Sequence, residues 1–461
     1  MPGEKPTDSG AASREPAVSA APSTGAGVTL ESARPADDPL PWPDGWEPDT
    51  VTVLSVDSAV RPEEWDGFEG IASFKADPAT DQRRPSLETE ALDRNGSWVT
   101  RYHYWTTDES PEFGVDPEIA WGSSYAYVVE TANGEVTDFE EPPGLPTDKR
   151  TRDGGLTDVA DGVYVGKDST TDNWFEDEWR IFAADPAKDK VWTVADWTEV
   201  CDTALTPSMM GHETSARIGA TEVFFNAWEP DQPLGPCDAE SLEEMTRSIF
   251  ASKIDGSGRP KVVARNAHSF DAVGDTLYFA QDPGSSGEEY TEESGYEIVR
   301  RSPDGDEETI ATGYLGAEYA VQGVAASEEG VAWYVIQFND PSAKRKPVLG
   351  NANARIYAEL ANGRRFVVYL RDAGSWVLRM DRDRIAWGGA DVVMDEDGEE
   401  IPTDMGQYFA ELGNERILRF GECGGCQYLA VAGEYVTWSE PASEESGGYL
   451  VNHIARIRDG D

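Results

Sequence analysis

The stretch "FDAVGDTLYFAQ", residues 270–281, carries a turn at its centre. An apolar run leads to Gly274-Asp275, and a second run alternates through Leu277 and Phe279. A period of two is the signature of a strand with one buried face. The segment therefore reads as the end of one strand, a tight turn and the start of another.

The same reading recurs along the chain. It appears as "DGVYVG" (Val163, Val165), "ATEVFFNAW" (Val223, Phe225), "EEGVAWYVI" (Val331, Trp333), "RDRIAWGG" (Ile385, Trp387) and "GEYVTWSE" (Val436, Trp438). With Phe279 included, the second residue of each copy falls at 165, 225, 279, 333, 387 and 438, in steps of 60, 54, 54, 54 and 51. An earlier copy, "GSWVTRYHYW", lies one step upstream around Tyr102 and Tyr104 and makes seven. A fixed period near 50 built from β-pattern is the mark of a propeller.

Each period holds further strands. After "DTLYFAQ" come "YEIVRRSPDG" and "EETIATG", and equivalent hairpins read "YAYVVETANGEVTDF", "WRIFAADPAKDKVWTVA", "SIFASKIDGSGRPKVVA", "ARIYAELANGRRFVVYL" and "QYFAELGNERILRF". Asn-Gly, Asp-Gly or similar pairs at their turns supply the positive φ that tight hairpins require. Each blade is thus four antiparallel strands, A to D. The seventh copy supplies B in "EYVTWSE" and C in "YLVNHIARIRDG" but no D. The β-rich run "VTVLSVD", residues 51–57, is expected to provide it and to close the ring, removing an exposed edge. The fold class is all-β: a seven-bladed β-propeller of four-stranded antiparallel blades closed by an N-terminal strand.

Across about residues 51–461 the repeat resembles β-propeller blades of the broad TolB-like and WD40-like kind. "SPDG" at 302–305, here in a C–D turn, is similar to a motif of bacterial propellers. The resemblance implies architecture alone and brings no site residues with it.

Composition bounds the function. The chain has 461 residues, 88 of them Asp or Glu against 38 Lys or Arg, for a formal charge of −50. Such a surface repels nucleic acid and anionic membranes and leaves cationic partners, metal ions and neutral glycans open. Solubility is the plainest reading of the charge, and halophily would look the same. No apolar run approaches the roughly 18 residues of a membrane helix. Residues 1–48, rich in Pro, Ala, Ser and Gly with Trp42 as their first aromatic, read as a disordered linker or stalk ahead of a propeller at 49–461. "MPGEKPTDSG" has no apolar signal-peptide core. A monomer at the cell surface or outside the cell is expected, with its export signal outside this sequence.

Four Cys support that placement. Cys201, leading into the third blade, and Cys237, in that blade's B–C loop, share a face and are expected to form a disulfide. Cys423 and Cys426, in "CGGC", have the spacing of a thiol redox motif but fall in a D–A loop, where a local disulfide is the better reading.

In a propeller the A–B and C–D turns share one face, and the B–C and D–A connections share the other. The first set is short. The second includes residues 105–122, 166–178, 226–247, 281–295, 339–353 and 389–406, with D–A loops at 58–86 and 196–213. Long connections on a rigid frame are where binding resides. Trp105, Trp121 and Trp174 are candidate ligand-binding anchors among acidic residues, suited to sugar rings or cationic peptides. The competing reading is that each aromatic anchors its own loop.

"MDEDGEEIPTD" at 394–404 offers Asp395, Asp397 and Glu399 as alternating oxygen donors around Gly398. Calcium is the metal such donors suit, though the full EF-hand set is missing and a solvated charge run is the preferred reading of these residues. Otherwise no cofactor is expected. His occurs at 103, 212, 268 and 453 only, with His103 and His453 inside strands. No GxSxG, HExxH or phosphate-loop motif appears. The sequence thus points to an extracytoplasmic binding propeller for a protein, peptide or glycan on a flexible stalk. The alternative is a carboxylate-dependent glycan hydrolase or lyase with its site at the central funnel.

Overall fold

The computed structural model describes residues 42–75, 84–105, 123–131, 135–140, 152–173, 176–200, 216–229, 246–267, 269–283, 291–317, 319–337, 354–370, 377–394, 400–422, 429–440 and 451–458. They form seven sheets. Blades 1 to 6 span 84–140, 152–196, 216–265, 270–314, 319–369 and 378–422, each with its four strands in chain order. Blade 7 takes A, B and C from Ala430–Ala432, Tyr435–Glu440 and Val451–Ile457. The A strands pack on one another in cyclic order from blade 1 to blade 7 and back to blade 1, so the ring is closed.

The repeat residues explain the core. Val165, Phe225, Phe279, Trp333 and Trp387 are wholly buried, and Trp438 is nearly so. They lie at one level of the B strands and face a C-strand partner across the sheet. Phe225 opposes Phe250, Trp333 opposes Tyr357 and Trp387 opposes Tyr408. The last pair stacks at 5.4 Å with ring planes 13° apart. Such cross-strand pairs and the burial of large rings between blades are the main cohesive elements. The tight A–B turns are built as the sequence implies. In blade 2 both Asp161 and Gly162 have positive φ, 51° and 76°, the pairing a two-residue hairpin turn of primed type needs.

An N-terminal strand closes the ring, but it is Phe68–Lys75, which pairs antiparallel with Val451–Ile457 as the D strand of blade 7. This corrects the assignment of residues 51–57 to that role. Val51–Ser55 instead adds to blade 5 as a fifth strand, parallel to Arg365–Tyr369. The β-branched character of "VTVLS" fits a strand, but the pattern alone does not say whose edge it covers.

The N-terminal segment is a strap around the outer rim. Asp44 N donates to Thr312 O of blade 4 at 2.8 Å. Trp46 is buried edge-on against Trp333 and Tyr357 of blade 5. Val60 bridges to Leu418 of blade 6, and the chain then enters blade 7. Residues 42–47 therefore belong to the folded body, although composition placed them with the linker. The rest of that expected linker, 1–41, lies outside the described residues.

Two connections read as loops are protruding β-hairpins. In blade 2 the B and C strands run as Val163–Asn173 and Glu176–Asp185, paired up to Asn173 and Glu176. In blade 6 they run as Arg384–Met394 and Glu400–Glu411, paired up to Met394 and Glu400. The segments "DSTTDN" and "EIPTD" lack the apolar alternation of a half-buried strand. Their Thr and Ile content suits extended backbone all the same.

Candidate functional site

Among the described residues, polar groups on the short-turn face bind neighbouring blades together. On the short-turn face, carboxylates near the ends of the A strands join several neighbouring blades. Asp93 accepts from Gly162 N at 3.0 Å, Asp158 from Ile218 N at 2.8 Å, Asp271 from Ala326 N at 2.9 Å, and Asp381 from Gly433 N at 3.0 Å. These are the 1–2, 2–3, 4–5 and 6–7 joints. At the 3–4 joint Thr221 gives both its N–H and its hydroxyl to Asp275. Arg217 of blade 3 adds an ion pair to Asp271 at 3.0 Å and a bond to Thr157 O of blade 2. Burial pushes the Asp158 carboxyl upward, opposed by Arg217 and two backbone N–H donors.

Arg94, in the A–B turn of blade 1, reaches past blade 7. Its Nε donates to Asp381 of blade 6 at 2.6 Å, and both terminal nitrogens bond Glu328 of blade 5 at 2.8 Å. The short-turn face is thus committed to holding the ring together.

On the opposite face the described residues form a cavity of about 500 Å³ at the edge of blade 4. That size suits a small ligand or one unit of a larger one. Gln281 and Asp282 come from the end of the B strand, Tyr296 and Glu297 from the start of C, Thr312 from the end of D, and Asp44 from the strap. None of the described residues lining it is Lys or Arg. Thr312 Oγ1 donates to Asp44 at 2.7 Å, Thr309 Oγ1 to Glu297 at 3.2 Å, and Gln281 Nε2 to Arg265 O at 2.9 Å.

Tyr296, among the residues at the cavity, is only 5% exposed, and its side chain turns toward blade 5. Its ring lies over Gly313, where any Cβ would collide with it. The phenol oxygen accepts from Trp333 Nε1 at 3.0 Å, which ties blade 4 to the repeat residue of blade 5. Burial raises the phenol well above its ordinary pKa, so it keeps its proton.

A second cluster lies at the same end of blade 7. Ser73 Oγ and His453 Nδ1 are 2.8 Å apart, His453 Nε2 is 3.4 Å from Glu440, and the imidazole stacks on Trp438 at 4.9 Å. His453 takes the C-strand position that Phe250, Tyr357 and Tyr408 fill in other blades. Burial depresses its pKa, against the pull of Glu440. A neutral ring protonated at Nε2 accepts from Ser73 and faces Glu440, so the group pins the closing strand in register.

The anchors expected from sequence are only partly placed. Trp105 ends the B strand of blade 1, opposite Ser123, with its side chain outside what is described. Trp121 and Trp174 lie outside the described residues, the latter between the paired Asn173 and Glu176. Asp395, Asp397 and Glu399 also lie outside them, between the paired Met394 and Glu400. So do Cys201, Cys237, Cys423, Cys426, His212 and His268. The cavity was missed because Asp44 sits in a segment of linker-like composition and Tyr296 in an ordinary strand pattern. The signal available was the pair Trp42 and Trp46, out of place in a disordered tail.

No family model matches the chain, and no curated protein matches it. Solved structures similar to it include the acylaminoacyl peptidase of Pyrococcus horikoshii, 9% identical with a TM-score of 0.44 over 87% of this chain and 54% of the peptidase. The β-propeller domain of the Trilobed protease from Pyrococcus furiosus, described as having an open velcro topology, is 9% identical with a TM-score of 0.43, over 77% of this chain and 91% of that domain. An oligogalacturonate lyase in complex with manganese is 9% identical with a TM-score of 0.40, over 85% of this chain and 98% of the lyase. The chain spans about half the length of the acylaminoacyl peptidase. The assignment as a seven-bladed β-propeller rests on the strand order and the closed ring of A strands.

Proposed function

We propose that this chain is a binding propeller that receives a protein, peptide or glycan on the long-connection face, outside the cytoplasm and at the end of a flexible N-terminal stalk. The observation that carries the reading is the short turns of one face, set against a polar cavity and extended B–C hairpins at the other. The short turns are taken up in blade joints and in the Arg94 bridge; the other end has joints of its own, such as Gln407 to Ser439, and in addition carries a polar cavity and two extended B–C hairpins. A rigid frame with its variable connections on one side is the usual arrangement for recognition. The acidic surface favours cationic or neutral ligands over anionic ones.

Glycan and peptide arrays probed with the purified chain test this. Binding is expected, and Ala at Trp105, Trp121 or Trp174 should weaken it by about 1–3 kcal/mol where that residue is a hot spot and leave the melting temperature unchanged. Turnover of a glycan panel, abolished by changing one carboxylate near the central funnel, would overturn the reading in favour of catalysis.

A further inference from the structure

We propose that Ser73, His453 and Glu440 form an acyl-transfer site at the outer edge of blade 7, where uncharged carboxylic esters are hydrolysed by way of an acyl group held on Ser73. This activity is separate from the ligand capture proposed for the long-connection face and does not depend on it. His453 fills a C-strand position held by Phe250, Tyr357 and Tyr408 in blades 3, 5 and 6. Its ring stacks on Trp438 at 4.9 Å, a contact that a Phe ring makes equally well. The imidazole adds a cost that Phe does not. Its Nε2 is buried without a full hydrogen bond, with the Glu440 carboxylate 3.4 Å away. Packing therefore does not account for the imidazole, whereas a duty that takes up and returns a proton does.

Strand geometry brings the groups together. Ser73 stands directly opposite His453 across the D and C strands. Ile457 N donates to Glu434 O and Arg458 N to Gly67 O, so successive residues of the C strand turn their backbone to opposite neighbours. By that alternation His453 bonds toward the B strand. Ser73 and His453 are then a non-hydrogen-bonded pair, the kind whose side chains come closest. The hydroxyl reaches Nδ1 at 2.8 Å, and Ser73 itself is exposed. The same alternation turns Ser73 N–H away from the C strand, to an edge on which no further strand lies among the described residues. A hydroxyl on one imidazole nitrogen with a carboxylate beyond the other is the arrangement of an activated nucleophile. Burial lowers the His453 pKa, so the ring is neutral and able to accept the proton.

The steps balance with water as the one co-substrate. Nδ1 takes the hydroxyl proton as Ser73 Oγ bonds to the ester carbonyl carbon. The imidazolium so formed faces Glu440, and the negative carbonyl oxygen accepts from the outward Ser73 N–H. Nδ1–H then gives its proton to the departing alcohol as the carbon–oxygen bond breaks. A water molecule loses a proton to Nδ1 while its oxygen attacks the acyl carbon. Nδ1–H returns that proton to Ser73 Oγ, and the carboxylic acid leaves. Glu440 beside the ring disfavours esters that carry a negative charge.

The test uses the intact chain with two probes. A fluorophosphonate, which bonds to a serine oxygen with loss of fluoride only where the hydroxyl is activated, is followed by peptide mass spectrometry. The label is expected on Ser73 and is expected to vanish when the protein is heat-unfolded first. Hydrolysis of p-nitrophenyl acetate is followed in parallel. Ser73→Ala and His453→Phe should each lower its rate by at least about a hundredfold, the scale of a lost nucleophile or general base, with melting recorded for both. His453→Phe keeps the stack on Trp438, so its loss of turnover reports the missing base rather than a lost fold. The label on the parent protein needs no variant and decides the matter if either one fails to fold. A folded parent left unlabelled at Ser73 by a reagent that marks a serine hydrolase in the same tube would overturn the proposal. Ester turnover equal in the parent and in Ser73→Ala would overturn it as well.

Discussion

Arg94 and Glu328 face each other as a two-bonded guanidinium–carboxylate pair, both nitrogen–oxygen distances 2.8 Å, although they belong to blades 1 and 5. Arg94 also holds Asp381 of blade 6 and passes the Gly433 turn of blade 7. One side chain therefore links blades on both sides of the seam where the N-terminal strand completes blade 7. Bonds from Arg94 hold the Glu328 carboxyl below its ordinary pKa. A carboxyl depressed in the folded state stabilises above its unfolded value, roughly 4.3, and that contribution is lost as pH falls through the folded value. Glu328→Gln should lower the melting temperature at pH 7, and the gap to the parent protein should close as pH drops below about 4.3. An equal gap from pH 7 to pH 3 would show that the charge pair is not responsible.

Truncation separates the strap from the closing strand. Deleting residues 1–57 removes the contacts of Trp46 and the fifth strand on blade 5 but leaves Phe68–Lys75 in blade 7. A lowered melting temperature with a monomeric elution volume is expected. Deleting residues 1–75 exposes the edge of Val451–Ile457, and aggregation should follow. Equal behaviour of the two deletions in chromatography and melting would contradict the assignment of the closing strand.

Trp46 tests where the folded body begins. It is buried against Trp333 and Tyr357, with Arg365 over its ring at 5.2 Å. Trp46→Ala should cost about 3–5 kcal/mol in chemical unfolding, the usual range for emptying an aromatic site. A change near zero would mean that this residue belongs to the linker.

The repeat was legible because buried aromatic and branched residues recur at one level of the B strands of blades 2 to 7, and the tight turns between strands announce themselves through Gly and Asp. The closing strand was not. "FEGIASFK" includes Gly70, Ala72 and Ser73 and has less β-branched character than "VTVLS", so pattern favoured the wrong segment. What selects it is position, the open edge beside His453, which no local pattern encodes. The blade joints were equally hidden. Asp158, Asp271 and Asp381 all stand just before an A–B turn, in "LTDVADG", "FDAVGD" and "RMDRD", but their partners are backbone N–H groups about 50 to 60 residues away. The extended B–C hairpins read as loops because segments such as "DSTTDN" lack the apolar alternation of a half-buried strand. At the candidate site, the pairing of Tyr296 with Trp333 across blades required the fold itself.

His453 makes the seam sensitive to acid. Burial lowers its pKa, so the folded protein favours the neutral ring. The stabilisation is complete above the unfolded value, roughly 6.5, and is lost as pH falls through the folded value. Melting temperatures between pH 8 and pH 5 should decline less in His453→Phe, which restores the aromatic found at this position in other blades, than in the parent. Parallel declines would place the acid sensitivity elsewhere.

The central claim is that ligand is received on the face of the long connections. Hydrogen–deuterium exchange with and without the strongest array ligand tests it most directly, since slowed exchange reports where backbone amides become protected. The account predicts protection at 105–123, 173–176, 281–297 and 394–400, with the short turns at 93–97, 161–162, 274–275 and 382–383 unchanged. Protection confined to those short turns, with the long connections exchanging as before, would contradict it.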